Sequence, residues 1–141
     1  MEEAKRLSLD RQIHFVGFKS DVIEWIAGFD VLAAPQFDDA FGRTLVEAML
    51  VGTVVVASDT GGHPEIVHTG TTGFLIPKDD PEALGAACLR LLNDPDLAAR
   101  IARDAGSFAV ESYGTGHHVS DMMRTYSEVV GEPRIALGAG S

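Results

Sequence analysis

The sequence predicts an α/β fold built on a parallel sheet, and three observations predict it. Short β-branched or apolar runs, "IHFVGF", "DVLAAP", "VVVAS" and "GFLIP", alternate with stretches of helical periodicity, the order expected when crossover helices link parallel strands. The helical stretches carry their own start and stop signals. Turns bearing glycine, at Gly42 and in "TGGHPE", follow "DVLAAP" and "VVVAS", at the places where a strand hands over to a helix.

Taken in order, "SDVIEWIAGF" predicts a short helix between the first two strands, with Ser20 or Asp21 capping its free N-terminal amides. A second helix spans Gly42 to Val51 and stops at Gly52, the residue suited to a left-handed C′ position. In "DDPEALGAACLRLLND", Leu84, Ala87, Cys88, Leu91 and Leu92 make one apolar stripe, with Asp80 as N-cap and Pro81 at the first helical position. "DPDLAARIARDAGSFAVESY" repeats the Asp-Pro opening and aligns Leu97, Ile101, Ala105 and Phe108. A last helix, about His118 to Val130, directs Val119, Met122, Met123, Tyr126 and Val129 to the core, and the Met pair reads as packing. The expected organisation is one domain over residues 1–131 and a frayed tail over 132–141.

Composition bounds the function. A chain of 141 residues, 45% apolar and 23% charged, can bury a core of its own. A net charge of −10, with Lys and Arg scattered, argues against nucleic acid as the main partner and requires any phosphate site to be local. No apolar run reaches the roughly 18 to 20 residues that span a bilayer, and "MEEAKRLSLD" lacks the character of a secretory signal; the expected location is cytoplasmic. Cys88 is the single cysteine, set among apolar residues, and reads as an inert core thiol.

The chemistry concentrates in "FDDAFGRTLVEAMLVGTVVVASDTGG". Ligands of doubly wound sheets bind outside the carboxyl ends of strands, where helices begin. Here "DVLAAP" runs into the loop "QFDDAF", and Gly42 allows close backbone approach where a helix starts. The amides of Gly42, Arg43, Thr44 and Leu45 would be free donors at a positive helix end, suited to a diphosphate. Glu47 can present both carboxylate oxygens to a vicinal diol such as ribose, and Asp39 can accept from sugar hydroxyls. Spacing alone leaves another reading open, in which Asp39 is a cap and Glu47 a solvated second-turn carboxylate. His63, before Pro64 at a helix start, reads as a cap. His117 and His118 diverge by about 100° on a helix and make a poor metal pair.

The ordered series Asp39, Phe41-Gly42, Glu47-Ala-Met, "GTVVVAS", "GGHPE" and "GFLIP" resembles the C-terminal domain of the group 1 glycosyltransferases, retaining, nucleotide-sugar-dependent enzymes with two Rossmann-like domains (the GT-B fold). The likeness extends upstream to "RQIHFVGFKSDVIEWIAGFDVLAAP" and downstream to "YGTGHHVSDMMRTYSEVV". The resemblance implies that Asp39 contacts the donor sugar and Glu47 the ribose diol. It also implies that Phe41, Gly42, Arg43, Thr44 and Leu45 form the segment meeting sugar and diphosphate, with Gly17 and Phe18 bordering the nucleobase. It implies transfer of a sugar from a UDP-, GDP- or ADP-sugar to an acceptor hydroxyl, with no divalent metal, the diphosphate charge being met by basic side chains and a helix terminus.

The departures carry weight. Asp39 stands where Glu is usual, and Val54 where Pro is. The resemblance also implies an N-terminal acceptor domain and two further β-α units ahead of this segment, the first bearing a Gly-Arg and a Lys that grip the diphosphate. In the order 3-2-1-4-5-6, "IHFVGF" would then be parted from its neighbours and "DVLAAP" would form an open apolar edge. Three outcomes are expected: "IHFVGF" pairs with "DVLAAP", another polypeptide or a second copy covers the edge, or the chain is part of a longer enzyme. Arg43 and Lys19 are the nearest cations and read as surface charges. The function expected is the donor-binding portion of a glycosyltransferase, inactive without its N-terminal portion. The alternative is a non-catalytic nucleotide-sugar-binding or regulatory module. A nucleotide-sugar epimerase is a third reading, which "DTGGHPE" fits less well.

Overall fold

The computed structural model describes residues 2–35 and 42–113. At its centre is β2 (Val54–Ser58), a β-branched run buried at all five positions, as strands covered on both faces require. It pairs in parallel with β1 (Val31–Ala34) on one side and with β3 (Phe74–Ile76) on the other. Val31 stands opposite Val54 and Val56 opposite Phe74. Three of the four predicted strands therefore form one parallel sheet.

Alternation along β2 sends its side chains into two cores. Val55 and Ala57 pack with Leu45 and Met49 of α3 (Arg43–Leu50) and Ile26 of α2 (Val22–Ala27). Val54 and Val56 pack with Phe74, Ile76 and Leu91, the last on α5 (Pro81–Asn93). Helix α6 (Pro95–Tyr113) serves both layers, with Ile101 in the second cluster and Ala105 and Ala109 in the first. Each large aliphatic side chain fully buried this way contributes about 1.5–3 kcal/mol.

Local signals explain the helix ends. At the end of α3, Gly52 adopts φ +79°; its N–H donates to Met49 O (3.2 Å) and that of Thr53 to Ala48 O (2.9 Å), the paired closure of a Schellman motif. The Thr53 hydroxyl then donates to Ile26 O at 2.7 Å, fastening the end of α2 to the start of β2. Asp80 caps α5 by accepting from Ala83 N at 2.8 Å, and Asp94 accepts from Leu97 N at 3.0 Å at the start of α6. Asp21 holds the N-cap position of α2 without a side-chain bond; its carbonyl accepts from Glu24 and Trp25 instead.

The expected stripe of α5 holds for Leu84, Ala87, Cys88 and Leu91, but Leu92 is 53% exposed. It lies about 100° around the helix from Leu91, at the margin of the stripe. Cys88 is half-buried, and desolvation pushes its thiol pKa up. We expect a thiol-specific disulfide reagent at neutral pH to label Cys88 slowly in the native chain and rapidly in denaturant; fast native labelling would contradict the packing.

The strand expected over "IHFVGF" is not formed. Residues 13–18 have no ladder partner, and Phe15 and Phe18 are 63% and 94% exposed. They do not pair with "DVLAAP": among the described residues, β1 bonds only to β2 and its other edge is open. A strand exists only through its neighbours, so β propensity without a partner leaves an extended segment. Two short helices complete the described chain, α1 (Glu2–Arg6), which the sequence reading did not anticipate, and α4 (His63–Ile66). The helix expected over 118–130, His117 and His118, and the tail over 132–141 lie outside the described residues. No described helix is long and apolar enough to cross a membrane.

Candidate functional site

The carboxyl ends of β1 and β2 deliver the chain to the amino ends of α3 and α4. Gly42 is the N-cap of α3, with φ +64° and ψ +37°. The glycine is required there twice over. That left-handed backbone disfavours other residues, and an added Cβ would stand 3.1 Å from His63 Cδ2, 3.1 Å from Ile66 Cδ1 and 3.2 Å from Leu45 Cδ1. We expect Gly42→Ala to lower stability by about 1–3 kcal/mol in thermal denaturation; an unchanged melting temperature would show that the terminus tolerates displacement.

Beneath Gly42 lies His63, wholly buried, its Nδ1–H donating to Ser58 O at 2.9 Å. Its ring is a spacer between the end of β2 and the start of α3, not the cap read from its position before Pro64. The sequence offered no signal for this, because the burial arises from packing against a distant glycine. The turn between β2 and α4 is held by Thr60 N to Ser58 O (2.8 Å) and His63 N to Thr60 O (3.1 Å).

Of the four amides expected to be free, Leu45 N–H already donates to Gly42 O at 2.9 Å. This is a correction: the first turn closes on the cap carbonyl as soon as the helix begins. The amides of Arg43 and Thr44 have no acceptor among the described residues and remain as donors at the positive end of α3. The first turn contains no acidic residue and does contain Arg43, against the ordinary preference for negative charge at that end. Such a reversal is favourable when an anion completes the site.

Glu47 projects one turn further along, its side chain 14% exposed, and accepts from Arg43 Nε at 3.2 Å. The Arg43 side chain is 82% exposed. An exposed i,i+4 pair is worth about 0.3–0.5 kcal/mol, so a ligand can displace either partner at little cost. Lys19, the other cation considered, lies 4.6 Å from the centre of the Trp25 ring. Gly17 has φ +65°, and no described side chain lies within 4 Å of where its Cβ would stand. With Phe18 exposed beside it, the pair is not brought against α3 by any described contact. Asp39 and Phe41 lie outside the described residues. The site as described therefore consists of Gly42, Arg43, Thr44 and Glu47, with His63 as their floor; Leu45, its amide spent and its side chain in the core, takes no part in it.

A cavity of about 330 Å³ lies at the opposite end of the sheet, between the starts of β1 and β2 and the α5–α6 junction. It is remote from every helix amino terminus that follows a strand, so the chemistry is not placed there.

A parallel sheet whose strands feed helix amino termini, with a glycine cap, a cation in the first turn and a carboxylate one turn on, defines part of a Rossmann-like α/β domain. The chain matches the family described as glycosyl transferases group 1 over residues 1–94 and belongs to that family. It is similar to the lipopolysaccharide core biosynthesis mannosyltransferase LpsB of Rhizobium meliloti, at 37% identity over 78% of this chain and 33% of the relative. A D-inositol 3-phosphate glycosyltransferase of Streptomyces scabiei is 31% identical over 93% of the chain and 30% of its own length. Among solved structures, Anabaena Alr3699/HepE in complex with UDP superposes with a TM-score of 0.78 at 30% identity, over 90% of this chain and 34% of that one. The chain thus spans about a third of the length of these relatives. The C-terminal domain of a group 1 family protein (LpcC) from Francisella tularensis shares the fold, with a TM-score of 0.71 at 23% identity, over 81% of this chain and 60% of that domain. The fold is therefore a partial GT-B domain.

Proposed function

We propose that this chain is the donor-binding portion of a retaining glycosyltransferase, moving a sugar from a nucleotide sugar to an acceptor hydroxyl. The observation that carries the proposal is the amino terminus of α3, where the Arg43 and Thr44 amides, with no acceptor among the described residues, an Arg43 side chain and a neighbouring carboxylate stand within one turn of a close-approach glycine. The similarity to a protein solved with UDP supports the same reading.

In this reading the donor's diphosphate lies on the Arg43 and Thr44 amides, with Gly42 letting the backbone come within hydrogen-bond reach. Arg43 releases Glu47 and turns to the diphosphate, and the freed carboxylate accepts from the two ribose hydroxyls. Asp39 contacts the transferred sugar, Phe41 lines the approach, and Gly17 with Phe18 border the base. As the bond from sugar to diphosphate breaks, the helix terminus and Arg43 stabilise the leaving charge without a resident metal. Acceptor recognition and exclusion of water belong to a complementary portion. That portion, in the same polypeptide or as a separate chain, covers the open edge of β1, and the chain alone does not turn over.

Calorimetric titration with UDP, UMP and uridine tests the proposal. Affinity should rise with each phosphate, and uridine alone should bind weakest. Equal affinities would remove the diphosphate from the site. Sugar transfer measured after adding the complementary portion separates the enzyme from a non-catalytic binding module: binding without any transfer would favour the module.

A further inference from the structure

His63 is a polar side chain in a place that packing alone would give to an aliphatic one. It is wholly buried, and the other side chains that close on Gly42, those of Leu45 and Ile66, are apolar. We propose that His63 is a positioning residue for the donor site: its ring, pinned to the end of β2, holds the amino terminus of α3 at the height from which the Arg43 and Thr44 amides meet a diphosphate. This role rests on the donor reading and deepens it.

Both flanks of the ring are fixed. A carbonyl oxygen only accepts, so the 2.9 Å bond to Ser58 O puts a proton on Nδ1 and sets the rotation of the imidazole. Ser58 O also accepts from Thr60 N–H at 2.8 Å, and Ser58 stands opposite Ile76 in the ladder to β3. The anchor is therefore the central strand itself. On the other flank Cδ2 faces the N-cap, 3.1 Å from where a Cβ on Gly42 would stand. Leu45 and Ile66 reach the same place with Cδ1 methyls, which can change rotamer. A buried ring tied by a hydrogen bond keeps one arrangement.

The far end of α3 is held by the closure at Gly52 and Thr53 and by the Thr53 hydroxyl on Ile26 O. With that end fixed, the floor under Gly42 decides the tilt of the first turn. A displacement of about 1 Å in a positioned group can cost as much as about 100-fold. The loss should fall on the diphosphate, because Arg43 and Thr44 belong to the first turn and Glu47, assigned to the ribose, lies beyond it.

The test compares the wild-type chain with His63→Leu, which keeps the bulk and loses the bond, and with His63→Asn, whose Nδ2–H can donate from near the place of Nδ1. Calorimetric and amide-resolved NMR titrations with UDP and with uridine are run well below each melting temperature. His63→Leu should shift the Arg43 and Thr44 amides of the unliganded chain, and should weaken UDP about 5- to 30-fold but uridine less than about 2-fold. His63→Asn should recover part of the loss. A merely structural side chain would lower the melting temperature without a loss confined to UDP. Should a variant fail to fold, the wild-type ring decides: its Cδ2–H resonance should move saturably with UDP and not with uridine. Unchanged UDP affinity in His63→Leu, equal losses of UDP and uridine, no recovery in a folded His63→Asn, or a ring resonance indifferent to UDP would each overturn the proposal. Wild-type UDP binding at Arg43 and Thr44 is the control: its absence fails the donor reading, whereas its presence with unaltered variants fails the role of His63 alone.

Discussion

Glu47→Ala should weaken UDP binding about 100-fold while leaving the melting temperature nearly unchanged. The expected loss follows from removing two hydrogen bonds to a charged acceptor, each worth about 1.5–3 kcal/mol, with tenfold in affinity for every 1.4 kcal/mol. The small stability effect follows from what Glu47 does in the unliganded chain. Its one described partner is Arg43, a residue 82% exposed, and such pairs contribute about 0.3–0.5 kcal/mol. Calorimetry beside thermal denaturation separates the two effects. A large fall in melting temperature with little loss of affinity would mean that Glu47 is a structural carboxylate. Arg43→Ala provides the complement: UDP should bind less well and uridine equally well, because the guanidinium addresses phosphate.

The largest stability effect is expected at Gly73, just before β3. A Cβ added there would stand 2.7 Å from both the Val55 carbonyl oxygen and Val55 Cγ2, and 3.0 Å from Val67 Cγ1. A side-chain tip can rotate away, but the Val55 carbonyl belongs to the central strand and cannot yield without breaking the ladder to β1 or β3. We therefore expect Gly73→Ala to cost about 3 kcal/mol, a fall of roughly 10 °C in melting temperature. The damage should reach the site, because Val67 continues α4, and His63 at its start supports Gly42. Wild-type stability in Gly73→Ala would mean that β3 can move away from β2.

What was legible in the sequence was what local bonding decides. Gly52, Asp80 and Pro81 marked helix ends because their backbone or side-chain chemistry is used within a few residues, and the structure puts each to that use. The run "VVVAS" was readable as a covered strand because every residue is apolar or small. "IHFVGF" has equal β propensity and forms no strand, since pairing depends on a neighbour that the run does not encode. The pairing of Arg43 with Glu47 follows from i,i+4 spacing, yet the sequence reading gave Glu47 to a diol and Arg43 to the surface. His63 was misread because the space under Gly42 is a property of two turns brought together by the sheet.

The most direct test of the central claim is to follow the backbone amides of Arg43 and Thr44 while UDP is added to the chain. Large saturable shifts are expected at both residues and at Glu47, which uridine does not reproduce at Arg43 and Thr44. Saturable UDP binding that leaves Arg43 and Thr44 unmoved would contradict it and place the nucleotide elsewhere on the fold.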